Sequence, residues 1–263
     1  MTQLRILLAA GLLFLCSAAC SRRDTNVLRI GVSPVPHGEI LEQLVAPLRA
    51  EGISLQIVNF NDYIQPNMAL ASGDLDANFY QHIPYLEQFN RDHGTHFVAV
   101  TKVFIAPLAL YAGRTRSLQA LADNAIVTIP NDPVNAGRSL LLLQAAGLLT
   151  LKPGEIAQLT PRDIDANPHH LQIRELESAQ VVRALPDTDI AAVNTNYALP
   201  AGLNPVKDSL FRENASSPYV NVLAVNAGHE KDPRILAVAA ALNSPQIRAF
   251  IETKYKGSVV PAF

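Results

Sequence analysis

An α/β fold in two lobes is predicted for this chain of 263 residues by three observations. From residue 28 onwards, apolar runs of strand length alternate with segments whose apolar residues have helical spacing. Proline and glycine mark the ends of most of these segments, and no internal sequence repeat is visible. Two sets of such segments, similar in size, follow one another along the chain. This alternation favours a mainly parallel or mixed sheet in each lobe.

The composition is that of a globular protein with a full core. Apolar residues make up 49% of the chain and charged residues 17%, which is enough apolar material for a core at this length. The 21 Lys and Arg residues stand against 23 Asp and Glu residues, so the formal net charge is −2. We expect no nucleic-acid partner, because no basic excess is present to bind phosphates.

Residues 1–19 have the features of a secretory signal peptide. A single charged side chain, Arg5, precedes a short apolar run that is too short to span a bilayer. Ala18 and Ala19 stand directly before Cys20, which is the arrangement of a bacterial lipobox in which the cysteine receives the lipid.

Ser17 replaces the Leu that is usual in a lipobox, and ordinary cleavage after Ala19 is the alternative. We expect lipidation at Cys20 and a polar tether over 20–26. The predicted location is the cell envelope, with the protein anchored to the membrane and facing the periplasm or the cell exterior. One cysteine remains in the mature chain, so no internal disulfide is expected.

The two sets of segments define the predicted lobes. In the first set we expect strands over 28–32, 55–60, 76–80 and 97–103, and helices over 40–48, 63–72 and 84–93. In the second set and the return we expect strands over 126–129, 171–176, 190–194 and 220–225, and helices over 117–122, 133–146, 178–185, 232–242 and 245–255.

The chain is expected to cross between the lobes near residues 106–113 and again near 220–226. These crossing segments would form a hinge. The predicted limits are therefore 27–110 plus 226–263 for lobe I and 111–225 for lobe II.

Four aromatic residues with polar tips fall in two adjacent loops at predicted strand ends. Tyr63 follows the strand 55–60, whereas Tyr80, His82 and Tyr85 follow or end the next one. Ligand crevices of α/β sheets lie at such strand ends, so these residues are candidates for a site lining. Packing in the core is the alternative.

Arg138 lies in the first turns of a predicted helix that Asp132 caps and Pro133 begins. The four leucines at 140–143 predict that this helix is buried on several faces. A guanidinium near the positive end of a helix requires an anion. A ligand carboxylate gripped by two hydrogen bonds is one candidate, and a structural acid is the other.

Three asparagines stand at further predicted strand ends or at the lobe junction. Asn194 and Asn196 follow the strand 190–194, and Asn221 lies within the apolar return strand. An amide in such surroundings needs hydrogen-bond partners, and these are either a ligand or the neighbouring backbone.

Neither a metal site nor a catalytic motif is indicated. His93 and His96 straddle Gly94, and His169 and His170 follow a proline, so surface turns are the expected location of both pairs. The sequence contains no nucleophile elbow, P-loop or dinucleotide fingerprint. We therefore predict no enzyme activity, no metal and no cofactor.

Six separated motifs closely resemble the NlpA-type family of methionine-binding lipoproteins, the solute-binding components of bacterial methionine ABC importers. The motifs are GVSPVPHGEIL at 31–41, FNDY at 60–63, QHIPYL at 81–86, PNDP at 130–133 with GRSLLLL at 137–143, NTNYA at 194–198 and SPYVN at 217–221. They occur in the same order and span nearly the whole mature chain.

The resemblance implies a two-lobed periplasmic-binding fold that closes around one amino acid. Arg138 would hold the ligand carboxylate, and Asn221 with Asn194 or Asn196 would bind the amino-acid backbone. Tyr63, Tyr80, His82 and Tyr85 would wall the side-chain pocket. The family usually has Phe where Tyr80 stands, which adds a hydroxyl to the pocket wall.

The partners implied by the resemblance are methionine, with L or D form left open, and an ABC permease with its ATPase subunits. The protein would act as a monomer. Another apolar amino acid or a Met-containing dipeptide is the nearest alternative ligand. A metal-binding importer component and a periplasmic α/β hydrolase are the remaining alternatives.

Overall fold

The structure is a computed structural model that describes residues 27–214 and 216–263. The signal peptide, the lipidated Cys20 and the tether predicted above lie outside the described residues. No helix in the described part of the chain is long and apolar enough to cross a membrane.

Two mixed sheets form the centre of the fold. The first sheet contains β1 (Val27–Val32), β2 (Ser54–Asn59), β3 (Ala77–His82), β4 (Phe97–Ile105), β12 (Val220–Asn226) and β13 (Val260–Pro261). The second contains β5 (Ala109–Ala112), β6 (Ile126–Pro130), β9 (Gln172–Leu176), β10 (Ile190–Val193) and β11 (Ser209–Arg212). The strand order is β13-β4-β12-β3-β1-β2 in the first sheet and β11-β5-β10-β6-β9 in the second. A separate ribbon pairs β7 (Thr150–Leu151) with β8 (Ile164–Ala166).

Helices cover the faces of both sheets. Around the first sheet these are α1 (Glu39–Glu42), α2 (Val45–Ala50), α3 (Gln65–Ala71), α4 (Ile83–His93), α8 (Pro233–Leu242) and α9 (Pro245–Tyr255). Around the second sheet they are α5 (Pro133–Ala145), α6 (Ser178–Val181) and α7 (Thr195–Ala198). The helix predicted over 40–48 is divided into α1 and α2, after a tight turn at Pro34–Gly38.

Alternating side chains show that each sheet is buried on both faces. In β12, Leu223 and Val225 pack in the cluster that contains residues of α8 and α9, whereas Val222 and Ala224 pack on the opposite face. Successive strand residues point to opposite faces, so a run of consecutive buried apolar residues such as 222–225 requires that both faces of the sheet are covered. The same alternation divides β10, in which all four residues are buried.

The strand pairing differs from the sequence analysis at the lobe junction. The strand predicted over 220–225 is present as β12, but it pairs with β3 and β4 inside the first sheet, although a crossing between the lobes was expected near 220–226. Residues 109–112, also expected in a crossing segment, form β5 of the second sheet. The chain therefore passes from one sheet to the other between β4 and β5, and returns between β11 and β12. The predicted limits of the lobes, 27–110 plus 226–263 and 111–225, remain a prediction. Because β5 and β12 belong to the sheets, the crossing segments are expected to be shorter than 106–113 and 220–226.

Candidate functional site

A cavity lies between the two sheets, and the empty space at this place measures about 370 Å³ with open solvent included. All eight residues that the sequence analysis named as ligand-binding line it, namely Tyr63, Tyr80, His82, Tyr85, Arg138, Asn194, Asn196 and Asn221. The fold thus brings these distant residues together, and their roles toward a ligand remain a prediction.

The ends of the parallel strands deliver these residues to the cavity. β3 ends at His82, β6 ends at Pro130 shortly before Arg138, and β10 ends at Val193 directly before Asn194. The carboxyl ends of parallel strands form the ligand crevice of open α/β sheets. Asn221 reaches the same place from the antiparallel strand β12, in which it pairs with His82.

Arg138 is buried, with 2% of its side chain exposed, and it is held by a carboxylate. Its Nε donates to Glu213 Oε1 over 2.7 Å and its Nη2 donates to Glu213 Oε2 over 2.5 Å. Nη2 also donates to the Ala106 carbonyl over 3.1 Å, and the guanidinium lies 3.9 Å above the Tyr219 ring centroid. Glu213 is therefore the structural acid that the sequence analysis gave as the alternative to a ligand carboxylate. It accepts from Nε and Nη2, the edge of the guanidinium that could otherwise donate two hydrogen bonds to a ligand carboxylate.

The remaining nitrogen, Arg138 Nη1, is the one left for a ligand. Among the described residues, it donates a long hydrogen bond of 3.5 Å to Asn135 Oδ1. Asn135 also receives a hydrogen bond of 3.0 Å from Asn194 Nδ2. Asn135 Oδ1 thus accepts from both Arg138 and Asn194, the two side chains expected to bind the carboxylate and the backbone of an amino acid.

Asp132 holds Asn135 in its orientation through hydrogen bonds. Its carboxylate accepts from the Asn135 backbone over 2.9 Å and from Asn135 Nδ2 over 3.0 Å, which confirms its predicted role as the cap of α5. Ser178 Oγ donates to the same carboxylate over 3.2 Å. Burial raises the pKa of Asp132 above its ordinary value, and these hydrogen bonds oppose the increase.

The two asparagines after β10 have different surroundings. Asn194 Oδ1 is buried and has no hydrogen-bond partner among the described residues. Asn196 Oδ1 accepts a hydrogen bond of 2.6 Å from the Tyr63 hydroxyl across the cleft. A buried acceptor without a partner costs free energy unless a donor arrives, so Asn194 is the better candidate for contact with a ligand.

The tyrosine hydroxyls of the cavity wall are engaged within the protein. Tyr80 and Tyr85 both donate to the Tyr63 carbonyl, over 2.8 and 2.9 Å. Burial raises the pKa of Tyr63 and of Tyr80 well above the ordinary value, so these hydroxyls keep their protons. The hydroxyl that distinguishes Tyr80 from the usual Phe therefore contacts backbone, and the rings of Tyr63, Tyr80 and Tyr85 lie close together in the cavity wall.

Two buried histidines are uncharged. Tyr85 donates its backbone N–H to His82 Nδ1 over 3.2 Å, so the proton of the neutral ring lies on Nε2, 3.4 Å from Asn135 Oδ1. His37 Nε2 lies 2.9 Å from Asn221 Oδ1, which makes Nε2 the donor in this pair. Burial is the main cause that lowers the pKa of His82 to about 3 and that of His37 to about 4.

The lowered pKa values of His37 and His82 predict that the protein is less stable in mild acid than at neutral pH. In the unfolded chain the histidine pKa returns to about 6.5, so the unfolded state binds more protons than the native state below that pH. The stability that neutral His37 contributes is therefore complete above pH 6.5 and declines as the pH falls towards 4. Between pH 7.5 and pH 5 we expect the free energy of unfolding to fall by about 2 kcal/mol for each of the two histidines.

Urea denaturation at pH 7.5, 6 and 5 would measure this decline, with His37→Gln as the comparison. Glutamine can donate to Asn221 but does not titrate, so the variant should lose about half of the decline. The raised pKa of Asp132 acts in the opposite direction at low pH and is common to both proteins. An equal decline of the free energy of unfolding in the native protein and in His37→Gln would contradict the lowered pKa of His37.

The sequence analysis missed five residues of the lining: His37, Gln81, Ala106, Asn135 and Thr195. Three of them, His37, Gln81 and Thr195, lie inside the motifs quoted above. Their place in these motifs was the signal that could have identified them as lining residues. The described residues contain no group of three or more His, Cys, Asp and Glu side chains that could hold a metal ion.

The chain is similar to known proteins over almost its whole length. A D-methionine-binding lipoprotein, MetQ of Escherichia coli, is 39% identical over 254 residues, which is 95% of this chain and 93% of the relative. The structure of a periplasmic substrate-binding protein of an ABC transporter from Coxiella burnetii has a TM-score of 0.85 at 40% identity, covering 89% of this chain and 100% of that chain. A nutrient-binding protein from Burkholderia cenocepacia, solved bound to methionine, has a TM-score of 0.84 at 40% identity, covering 90% and 100%.

These neighbours confirm the predicted periplasmic-binding fold. The relatives are lipoproteins and substrate-binding components of transporters, which implies a location in the cell envelope. The family model described as NlpA lipoprotein matches residues 28–263. The chain belongs to the NlpA lipoprotein family.

Proposed function

We propose that the protein captures methionine in the cavity between its lobes and delivers it to the permease of an ABC importer. The observation that carries this proposal is a cavity lined by two groups of side chains that differ in chemistry. The polar group contains a buried guanidinium and an unpartnered amide oxygen, and the aromatic group contains three tyrosine rings. This is the pattern that a free amino acid with an apolar side chain requires.

The polar group suits an amino acid in its zwitterionic form. Arg138 Nη1 would donate to the carboxylate, and Asn194 Oδ1 would accept from the ammonium group. Asn221, whose own oxygen accepts from His37, would contact the same part of the ligand. Desolvating both charged groups is costly, so the partners must be buried and already oriented, as Arg138 and Asn194 are.

The aromatic group suits a thioether. The ring centroids of Tyr80 and Tyr85 lie 6.1 and 5.8 Å from that of Tyr63. A contact between a sulfur atom and an aromatic ring contributes about 0.3–1.5 kcal/mol, and methionine adapts readily to irregular apolar spaces. Because the three hydroxyls have partners in the protein, a polar ligand side chain would find few free donors there.

Closure of the cleft would accompany binding. The Tyr63 hydroxyl reaches Asn196, and the Tyr197 hydroxyl donates to the Asn61 carbonyl over 3.1 Å, so residues after β2 contact residues after β10. These contacts join the two lobes beside the cavity, which Tyr63 and Asn196 both line. Domain closure of this kind buries the ligand and forms a surface that a permease can distinguish from the open protein.

The anchor and the transport partners belong to the same proposal. Lipidation at Cys20 would tether the monomer to the membrane, where a permease and its ATPase subunits complete the importer. The role is capture and delivery without bond chemistry.

Native mass spectrometry of the protein purified without added amino acids tests the proposal. We expect a bound species that denaturation releases as methionine, since a buried zwitterion exchanges slowly. A released dipeptide or other amino acid would replace the proposed ligand, and a bound metal ion would refute the amino-acid site.

A further inference from the structure

Glu213 is the carboxylate nearest to the proposed ligand arginine, yet it does not line the cavity. It lies just past β11 and borders a separate surface groove together with Arg138. Its side chain is largely buried, with 12% exposed. Arg138 thus lies between the cavity and Glu213.

The hydrogen bonds of Arg138 show how much of the guanidinium remains for a ligand. A guanidinium has five N–H groups. One on Nε and one on Nη2 point to Glu213, a second on Nη2 points to Ala106, and one on Nη1 points to Asn135. Within the described part of the chain, one N–H of Nη1 is left, so a ligand carboxylate receives a single end-on hydrogen bond.

Glu213 is fixed in this position by the first crossing of the chain. Its Oε2 accepts from the Leu108 backbone over 3.0 Å, and its own backbone N–H donates to the Leu108 carbonyl over 3.0 Å. The carboxylate is therefore a permanent partner of Arg138, rather than one that a ligand displaces.

The charges around the cavity then sum to a negative value. Arg138 and Glu213 cancel one another, Asp132 adds a buried carboxylate behind Asn135, and the two buried histidines are neutral. An anion entering this site meets two carboxylates and one guanidinium. A zwitterion brings its own positive charge and avoids this penalty.

We infer that Glu213 is a specificity-determining residue: by neutralising Arg138 from behind, it makes the cavity accept amino acids as zwitterions and reject anions of the same shape. This inference rests on the proposed function. It assigns the requirement for an α-amino group to a residue outside the cavity, in addition to the asparagines that contact the group.

Calorimetric titrations of the full chain and of Glu213→Gln test the inference with three probes. These are L-methionine, its desamino analogue, which is an anion, and L-methioninamide, which is a cation. Relative to L-methionine, the variant should bind the anion about tenfold more tightly and the cation about tenfold more weakly, because a carboxylate near the ligand has been removed. Glu213→Asp keeps the charge and should keep the preference of the native protein.

Asp189→Asn is the matched control. Asp189 forms an ion pair of 3.0 Å with Arg114 in the same lobe and does not line the cavity, so its removal should leave the ratios among the three probes unchanged. Equal shifts of all three affinities in Glu213→Gln would show a structural role only and overturn the inference.

The native protein alone provides a second test that requires no variant to fold. It should bind L-methionine at least about a hundredfold more tightly than the desamino analogue. Equal affinities would overturn the inference while leaving methionine binding intact. Failure to bind L-methionine at all would refute the proposed function as well.

Discussion

Arg138→Ala is expected to weaken methionine binding by about thirtyfold or more, since truncating one partner of a buried charge pair costs about 2–5 kcal/mol. The ligand carboxylate loses its donor, and Glu213 is left buried without its arginine. The Tyr219 ring also loses the guanidinium that covers it. Calorimetric titration measures the first effect, and urea denaturation measures the accompanying loss of stability.

Arg114→Ala is the matched control for this prediction. Arg114 also pairs with a carboxylate, that of Asp189, but half of its side chain is exposed and it lies outside the cavity lining. An exposed ion pair contributes about 0–1 kcal/mol, so we expect small changes in stability and unchanged affinity. Full methionine affinity in a folded Arg138→Ala protein would contradict the assignment of the carboxylate partner.

Gly137→Ala is expected to lower the free energy of unfolding by about 1–3 kcal/mol, which is the usual cost of overpacking. Helix propensity alone would favour alanine, because glycine costs about 1 kcal/mol in a helix interior. However, a Cβ atom on Gly137 would overlap the backbone carbonyl of Ile156, which cannot rotate aside as a side chain can. Helix α5 must then shift, and Arg138 is the next residue along it.

Gly154→Ala serves as the comparison, because its added Cβ would meet only the tip of the Leu159 side chain at 3.2 Å. We expect Gly137→Ala to reduce both stability and methionine affinity, and Gly154→Ala to change neither by a comparable amount. Urea denaturation and calorimetry of the two variants measure this difference. A Gly137→Ala protein as stable as the native one would contradict this prediction, because it would show that α5 can move away from Ile156 without a loss in the free energy of unfolding.

Local pattern was sufficient for most helices and strands. The cap at Asp132, the start at Pro133 and the apolar face that follows predict α5 within one residue of its observed end. Sheet membership was harder, because β12 is apolar on both faces and carries no sign of which sheet it joins. β5 was missed for a related reason: its four residues are too few to separate from the preceding strand by pattern alone.

The cavity was predicted through residues at strand ends, which the fold necessarily collects at one edge. Glu213 could not be predicted, since it follows a short strand in a polar segment and meets Arg138 across 75 positions of sequence. The role of the Tyr80 hydroxyl was equally hidden, because its acceptor is a backbone carbonyl rather than a recognisable side chain. Long-range partners of this kind depend on the folded geometry.

Calorimetric titration of ligand-free protein with L-methionine tests methionine capture most directly, and it suits a chain without tryptophan. We expect saturable binding of one methionine per chain, with no detectable binding of L-glutamine, whose amide would lie against the aromatic wall. Binding of a different amino acid in place of methionine would contradict the ligand assignment. The absence of binding by any free amino acid would contradict the amino-acid site itself.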